Sequence, residues 1–155
     1  MNSFDPRITV ATIVENDGKL LLVREHSNGK LVLNQPAGHV EAGESLTQAA
    51  FRETLEETAW QVEVTDFLGT YIFQPTRGSG VYYRFCFVAK PIRFDDKQKL
   101  DRDIAEALWL SRDDIAAQQK VHRSPLVAQC VDDYFSGRRL PLESIYQHPW
   151  PLQKR

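Results

Sequence analysis

The feature that most limits how this chain can fold is a helix with carboxylates on its apolar side. Residues 45–58 have the periodicity of an α-helix. At about 100° per residue, Glu53, Glu56 and Glu57 project from one face because they are spaced i, i+3 and i+4. Three apolar residues lie on the same side one or two turns earlier: Leu46, Ala49 and Ala50. The carboxylates therefore continue an apolar stripe, and the sequence predicts a partly buried acidic face.

Three ionised carboxylates on one helix face repel one another. At a separation of about 5 Å and an effective dielectric constant near 20, each ionised pair costs roughly 3 kcal/mol, against about 1 kcal/mol in full contact with water. Arg52 precedes Glu56 by one turn and offsets only part of this cost. A divalent cation would offset more, and an all-oxygen site suits Mg²⁺ or Mn²⁺. The alternative is a solvated acidic face on which Arg52 forms ion pairs with Glu44 and Glu56.

A glycine-containing loop, residues 38–44, leads into this helix. Glycine at position 38 allows a backbone carbonyl to approach a metal ion where a side chain would obstruct it. The alternative is that Gly38 and Gly43 only shape a turn. Where the loop ends, Ser45 is expected to cap the helix, and Gln48 to complete a capping box.

Runs of apolar residues predict strands before and after this helix. The predicted strands are residues 8–14, 19–23, 31–33, 61–67, 69–73, 81–89 and 107–110, with turns at Asp17-Gly18 and Asn28-Gly29. Residues 8–14 are apolar on both faces, so this strand is expected to be covered on both sides. Two further helices are expected to begin at Ser111 and Pro125, with Gly137 ending the second. This order predicts an α/β sheet covered by helices on two faces.

The tail from Leu140 is rich in proline and is expected to be extended, with Trp150 holding it in place. The sequence contains no internal repeat, low-complexity tract or interdomain linker. It therefore predicts one domain that spans residues 1–155.

The composition excludes several functional classes. The chain has 155 residues, 19 basic and 21 acidic side chains and a net charge of −2, so its charge does not favour nucleic acid or an anionic membrane as a partner. No apolar run approaches the roughly 20 residues of a membrane helix, and the N-terminus lacks the features of a secretory signal. Cys86 and Cys130 have no metal-ligand spacing. We therefore expect a cytoplasmic protein that acts as a monomer on a small molecule.

The order of residues between positions 38 and 57 resembles the Nudix box. That motif is a glycine, five residues, a glutamate, seven residues, and then Arg-Glu-aliphatic-x-Glu-Glu-x-Gly-aliphatic. Six positions match it: Gly38, Glu44, Arg52, Glu53, Glu56 and Glu57. The Nudix family consists of metal-dependent hydrolases that cleave phosphoanhydrides in nucleoside diphosphates linked to another moiety. The resemblance implies an α/β/α sandwich around a mixed sheet, in which the box forms a loop–helix–loop.

Segments outside the box are similar to the NudJ phosphatase branch of this family. They are residues 34–39, 123–128, 136–137, 141–143 and 150–151. That branch resembles enzymes that release phosphate from nucleoside tri- and diphosphates and from thiamin-pathway pyrophosphates. The resemblance implies a terminal phosphate hydrolase with a broad substrate range. Two alternatives stay open: a pyrophosphatase that cuts an internal linkage in a dinucleoside polyphosphate or nucleotide sugar, and a non-catalytic nucleotide-binding module.

The resemblance also implies a role for each matching position of the box. Metal contacts are assigned to Glu53, Glu56, Glu57 and the Gly38 carbonyl, and the implied cofactor is Mg²⁺ or Mn²⁺. Glu44 and Arg52 are similar to the ion pair that holds the loop against the helix in this family.

The catalytic base and the phosphate contacts are less narrowly determined. Family members place the base either in the box or on a later loop, so Glu56 is the first candidate and Asp103 the second, with Glu53 as a further catalytic carboxylate. Asp103 is alternatively a solvated loop acid.

Three residues are candidates for substrate contacts: Arg24, Arg84 and His39. For the two arginines the alternative is a surface salt bridge, and for the histidine it is a cap on the loop. Core packing is the expected role of three aromatic residues: Tyr82, Tyr83 and Phe85.

Three positions depart from the motif, since Thr54, Ala59 and Trp60 replace an aliphatic residue, a glycine and a small aliphatic residue. None is a carboxylate, so the metal contacts are unaffected. Glycine normally leaves such a helix in a left-handed conformation, which costs alanine roughly 1 kcal/mol. The alternative is a helix one residue longer, with Trp60 packing at its exit.

Overall fold

The computed structural model describes residues 4–149, and its elements follow the predicted order. The strands are β1 (Pro6–Asn16), β2 (Lys19–Ser27), β3 (Lys30–Asn34), β4 (Ala37–His39), β5 (Trp60–Phe73), β6 (Val81–Phe94) and β7 (Ile104–Ser111). The helices are α1 (Leu46–Thr58), α2 (Arg112–Ala117) and α3 (Pro125–Phe135), with 3₁₀ turns at Gln119–Val121 and Leu142–Ser144. None of the helices between residues 4 and 149 has the length and apolarity that crossing a bilayer requires.

The sheet is mixed, as the family resemblance implied. Strand β1 pairs in parallel with β6 and antiparallel with β4, and β5 pairs antiparallel with the outer side of β6. Strand β2 joins β1 only at the hairpin end and then continues between β3 and β7. The sheet therefore divides into two parts that share the β1–β2 hairpin.

Helices cover both faces of this sheet, which confirms the predicted α/β architecture. Val10 and Phe87 pack towards α1, while Ala11 and Cys86 pack towards α2 and α3. Every residue from Thr9 to Val14 is buried, so β1 is covered on both sides as its composition predicted.

Three local predictions differ from the structure in extent. Residues 61–67 and 69–73 form one strand, β5, because an irregular register near Gly69 interrupts the pairing without ending it. The predicted strand 81–89 continues to Phe94. The tail is extended only in part, because Leu140 bridges to Phe67 and a 3₁₀ turn follows. Trp150 lies outside the described residues.

The exit of α1 resolves the two alternatives for Ala59. Ala59 has φ 63° and ψ 10°, and its N–H donates to the Leu55 carbonyl at 2.9 Å, so alanine takes the left-handed conformation usually left to glycine. The alternative of a longer helix does not hold, since Trp60 already begins β5. Its ring lies edge-on to Trp109, with centroids 5.6 Å apart.

Candidate active site

Strand β4 lies against α1, and this contact explains the glycine at position 38. A Cβ atom at Gly38 would overlap the carboxyl group of Glu53. Pairing of Val10 on β1 with Gly38 holds the strand at this distance. Close approach of the helix, and not only a turn, therefore requires glycine here.

The hydroxyl of Thr54 helps to fix α1 on the sheet. It is fully buried, donates to the Ala50 carbonyl at 2.7 Å and lies 3.0 Å from the Thr12 hydroxyl on β1. A polar residue is tolerated at this usually aliphatic position because its hydroxyl has partners on both the helix and the strand.

Arg52 connects the loop to the acidic face of the helix. Its Nε and Nη2 donate to the two carboxylate oxygens of Glu44 at 2.9 and 2.7 Å. Its Nη1 donates to Glu53 at 2.8 Å and to Glu56 at 3.1 Å, and Nη2 also donates to the His39 carbonyl at 3.0 Å. The predicted pairing of Glu44 with Arg52 is thus present, and the same guanidinium holds two carboxylates of the helix.

The carboxylates of this region ionise differently. Hydrogen bonds from Arg52 lower the pKa of Glu44, while the bond to Glu44 raises the pKa of Arg52. Burial raises the pKa of Glu53, and the hydrogen bond from Arg52 opposes that rise. Burial raises the pKa of Glu57 well above its ordinary value, and the nearby charge of Glu25 adds to the effect. The face that carries Glu53 and Glu57 is therefore costly to ionise without a further cation.

Three carboxylates converge at the exposed edge of this face. Oxygens of Glu53, Glu56 and Asp101 lie within 4.8 Å of one another. The loop between β6 and β7 supplies Asp101, whose N–H donates to the Glu56 carbonyl at 2.9 Å. Sequence reasoning missed Asp101, because the loop holds several acidic residues and only the folded contact with α1 distinguishes this one.

Glu57 occupies a different position from these three. Its Oε2 accepts a hydrogen bond from the Ala37 N–H at 3.1 Å, and the residue is only 5% exposed. It therefore lies behind the convergent oxygens, between the helix and β4. Its role as a metal ligand stays a prediction.

The donor set fits a hard divalent cation. Glu53, Glu56 and Asp101 offer oxygens only, and Arg52 is the cation that contacts the first two. Oxygen ligands with excess negative charge suit Mg²⁺ or Mn²⁺. Gly38 lies against Glu53, and its carbonyl as a further ligand stays a prediction.

A cavity of about 1000 Å³ is lined in part by Gly38, which also lies against Glu53. Its walls come from β1, β2, β3, β4 and β6, the end of β5 and the start of α3. Its charged lining residues are Glu25, Lys30, Arg84 and Arg123, with His39 and His122 beside them. Arg123 and Asn34 lie in segments that are similar to the NudJ branch, but no feature of the sequence assigns a role to either of them or to Glu25.

The structure separates the residues that the sequence proposed for substrate contacts. Arg84 and His39 line the cavity, whereas Arg24 is not among the lining residues. Arg24 donates from Nε to Glu106 at 3.0 Å and from Nη2 to Gln118 at 2.8 Å, which is the salt-bridge alternative.

Tyr82 and Asp103 also have positions that the sequence left open. Tyr82 lines the cavity, and its ring centroid lies 6.5 Å from that of His39, so the expectation of core packing is wrong for this residue. The neighbouring Phe85 does pack against the core. Asp103 is exposed; its backbone carbonyl accepts from the His26 N–H at 2.8 Å, and Asp101, not Asp103, joins the convergent carboxylates.

Comparison with known proteins identifies the family. The NUDIX domain model matches residues 5–130. Phosphatase NudJ of Escherichia coli strain K12 is 40% identical over 152 residues, which cover 97% of both chains. A NUDIX hydrolase from Nitrosomonas europaea superposes with a TM-score of 0.90 at 43% identity, covering 94% of this chain and 99% of that one. An Ap4A hydrolase from C. elegans, with a TM-score of 0.64 at 20% identity over 86% of this chain and 96% of its own, shares the fold alone. The chain thus belongs to the Nudix hydrolase family, as a homologue of the NudJ phosphatases.

Proposed function

We propose that the protein is a Mg²⁺-dependent hydrolase that releases orthophosphate from nucleoside tri- and diphosphates. The observation that carries this proposal is the convergence of Glu53, Glu56 and Asp101 next to a cavity with cationic walls. A polyphosphate could place its reacting end at the carboxylates and the rest of the molecule in the cavity. The name of the 40%-identical relative, a phosphatase, supports terminal phosphate release.

The protein would hold the metal through Glu53, Glu56 and Asp101, with the Gly38 carbonyl and Glu57 as further candidates. When bound, the ion would neutralise phosphate charge and increase the acidity of the attacking water. Arg52 keeps Glu53 and Glu56 in place through hydrogen bonds of 2.8 and 3.1 Å. Positioning of this kind contributes most of the catalysis in phosphoryl transfer.

Glu56 is the proposed general base. Its side chain is 36% exposed, against 10% for Glu53, so water can reach it. Asp103 is the second candidate, as an exposed acid on the loop that also supplies Asp101. Transfer of the water proton to Glu56 would leave the nucleophile free to attack the terminal phosphorus.

The cavity supports a broad choice of organic group. Tyr82 and His39 present aromatic rings that can stack on any flat ring system. We therefore propose little preference for one nucleobase, and thiamin-pathway pyrophosphates as further substrates. A monomer suffices, because one chain supplies both the carboxylates and the cavity. Free, buried Cys86 and Cys130 support a reducing, cytoplasmic setting.

The test is a substrate panel with Mg²⁺ that measures orthophosphate, pyrophosphate and nucleotide products together. Nucleoside triphosphates should yield orthophosphate and the diphosphate, and chelator should abolish turnover. Pyrophosphate with the monophosphate would instead indicate cleavage of an internal linkage. Nucleotide binding without any hydrolysis would indicate a binding module, and full turnover in excess chelator would exclude the metal site.

A further inference from the structure

Arg84 is a buried cation without a carboxylate partner. It is 6% exposed at the wall of the cavity, and within residues 4–149 no ion pair joins its guanidinium to an acidic side chain. Its Nη1 donates to the Gln35 side-chain carbonyl at 2.8 Å and its Nη2 to that of Asn34 at 3.0 Å. Both acceptors are neutral amides, so the positive charge is oriented but not neutralised.

The two amides are themselves fixed by a second hydrogen bond each. Asn34 donates to the Glu25 carboxylate at 3.1 Å, and Gln35 donates to the Val127 carbonyl at 2.9 Å. Each amide thus accepts from Arg84 on one side and donates on the other, which determines its orientation. The guanidinium is held rigidly, and these bonds use two of its five N–H donors.

The surrounding cavity has the same excess of positive charge. Among the described lining residues, Glu25 is the one carboxylate, and it already accepts from the Arg123 guanidinium at 2.8 Å. No other carboxylate among these lining residues is available to neutralise Lys30 or Arg84. Burying a charge without a counter-charge is unfavourable, so an anionic ligand next to Arg84 would be stabilised by the guanidinium.

We propose that Arg84, positioned by Asn34 and Gln35, binds a second anionic group of the substrate, namely a phosphate that is not the one attacked. This inference rests on the proposed function and extends it. Gly38 lies against Glu53 of the acidic cluster and also lines the cavity that contains Arg84, so a substrate with two phosphate groups can occupy both sites. Arg84 then contacts the substrate, while Asn34 and Gln35 act through Arg84 as positioning residues.

The first test separates binding from turnover. With Mg²⁺ and a nucleoside triphosphate, Arg84→Gln should raise KM at least tenfold with kcat changed less than threefold, and Arg84→Lys should recover part of the loss because it keeps the charge. Arg93→Gln is the matched control, since Arg93 is exposed on the same strand and its loss changes the net charge equally. Equal KM values for Arg84→Gln and Arg93→Gln would overturn the inference.

Ionic strength provides a readout that a purely structural role would not change. KM of the wild type should rise with salt, because ions screen the attraction between Arg84 and the phosphate. Arg84→Gln should show a weaker salt dependence, while Asn34→Ala should raise KM but keep the dependence, since the charge is still present. An unchanged salt dependence in Arg84→Gln would count against anion binding at this site.

A second assay does not depend on catalysis. Inorganic pyrophosphate added to the metal-free protein should raise the melting temperature of wild type and Arg93→Gln. The shift should be much smaller for Arg84→Gln and intermediate for Arg84→Lys, which keeps the charge. Equal shifts in all four proteins would refute the site even where hydrolysis is observed. If the melting-temperature shift depends on Arg84 but no substrate is hydrolysed, the anion site is supported and the proposed function is wrong.

Discussion

Glu44 and Glu57 belong to the same motif, yet the protein surrounds them in opposite ways. Glu44 accepts two hydrogen bonds from Arg52, and its pKa is lowered. Glu57 is buried with one backbone N–H as its donor, and its pKa is raised. Among residues 4–149, Glu44 is hydrogen-bonded to a cationic side chain, and Glu57 is not.

This difference separates two parts of the box. The brace, Glu44 with Arg52, contributes to the stability of the folded state because its charges are mutually satisfied. The acidic face consists of Glu53, Glu56 and Glu57. It weakens the metal-free protein because burial and nearby negative charge raise the pKa of Glu53 and of Glu57. Substitutions in the brace should therefore reduce stability and activity together, whereas substitutions on the acidic face should separate the two.

The largest expected effect is on turnover in Glu56→Gln. This substitution removes a proposed metal ligand and the proposed base while it keeps the size of the side chain. Turnover with Mg²⁺ should fall on the order of a thousandfold, and the metal-free melting temperature should hold or rise. Steady-state kinetics and a thermal melt in chelator measure both; a variant that melts well below wild type but keeps most activity would make Glu56 a structural residue.

Arg52→Ala should affect both properties. It removes hydrogen bonds to Glu44, Glu53 and Glu56 and leaves these carboxylates less compensated, so unfolding should become easier by about 2 kcal/mol. Turnover should fall at least tenfold, because Glu53 and Glu56 lose their positioning contact. Denaturant unfolding measures the loss of stability, and steady-state kinetics measure the loss of turnover. If Arg52→Ala is as stable as the wild type, the brace does not contribute to stability and the proposed difference from the acidic face is wrong.

Two acids of one loop provide a comparison within the site. Asp101→Asn should lower turnover about tenfold, because Asp101 is among the convergent carboxylates. Asp103→Asn should change turnover less than threefold, since its carboxylate is exposed outside that group. Kinetics over a range of Mg²⁺ concentrations should show a higher metal requirement for Asp101→Asn alone. A larger loss of turnover in Asp103→Asn than in Asp101→Asn would favour Asp103 as the base and would contradict a role for Asp101 in metal binding.

In the metal-free protein, the acidic face and the brace should affect the free energy of unfolding in different pH ranges. The raised pKa of Glu57 means that its contribution to stability is complete below about pH 4.5 and is lost as pH rises through the raised value. The lowered pKa of Glu44 means that its contribution is present above about pH 4.5 and is lost as pH falls. Glu57→Gln should flatten the upper part of the stability profile and Glu44→Gln the lower part, as measured by denaturant unfolding in chelator.

The smallest effect is expected at Ala59, which belongs to neither region. Ala59→Gly relieves the left-handed strain but adds freedom to the unfolded chain, so a net gain of about 0.5 kcal/mol is expected. Turnover should not change. Ala116→Gly in α2 is the control and should lose roughly 1 kcal/mol, because that backbone is helical. A loss of stability in Ala59→Gly would contradict the strain.

The helix and its acidic face could be predicted because their causes are local. Ser45 accepts from the Gln48 N–H, and the Gln48 side chain accepts from the Ser45 N–H, so the start of α1 depends on residues three apart. The common face of Glu53, Glu56 and Glu57 follows from helical periodicity alone. The pairing of Glu44 with Arg52 could also be predicted, from the family motif. Only the structure shows that Arg52 also binds Glu53 and Glu56.

The cavity could not be predicted in the same way, because its contacts join distant parts of the chain. Arg84 bonds to Asn34 across 50 residues and Arg123 to Glu25 across 98. Asp101 contacts Glu56 only because its loop folds against α1. The same loop contains other acidic residues, and the sequence does not distinguish Asp101 from them as a metal ligand.

The sequence by itself determined the α/β order of elements, the capped helix and the clustered carboxylates, since these depend on spacing within one segment. The tertiary structure decided which charges face the site. Arg24 and Glu25 are neighbours on β2, and the pairing of β2 with β7 shifts its register between them. Only the structure shows that Glu25 lines the cavity beside Asn34 and Arg123, while Arg24 pairs with Glu106. Strand periodicity defines two faces, and the elements that cover them decide which one becomes the site.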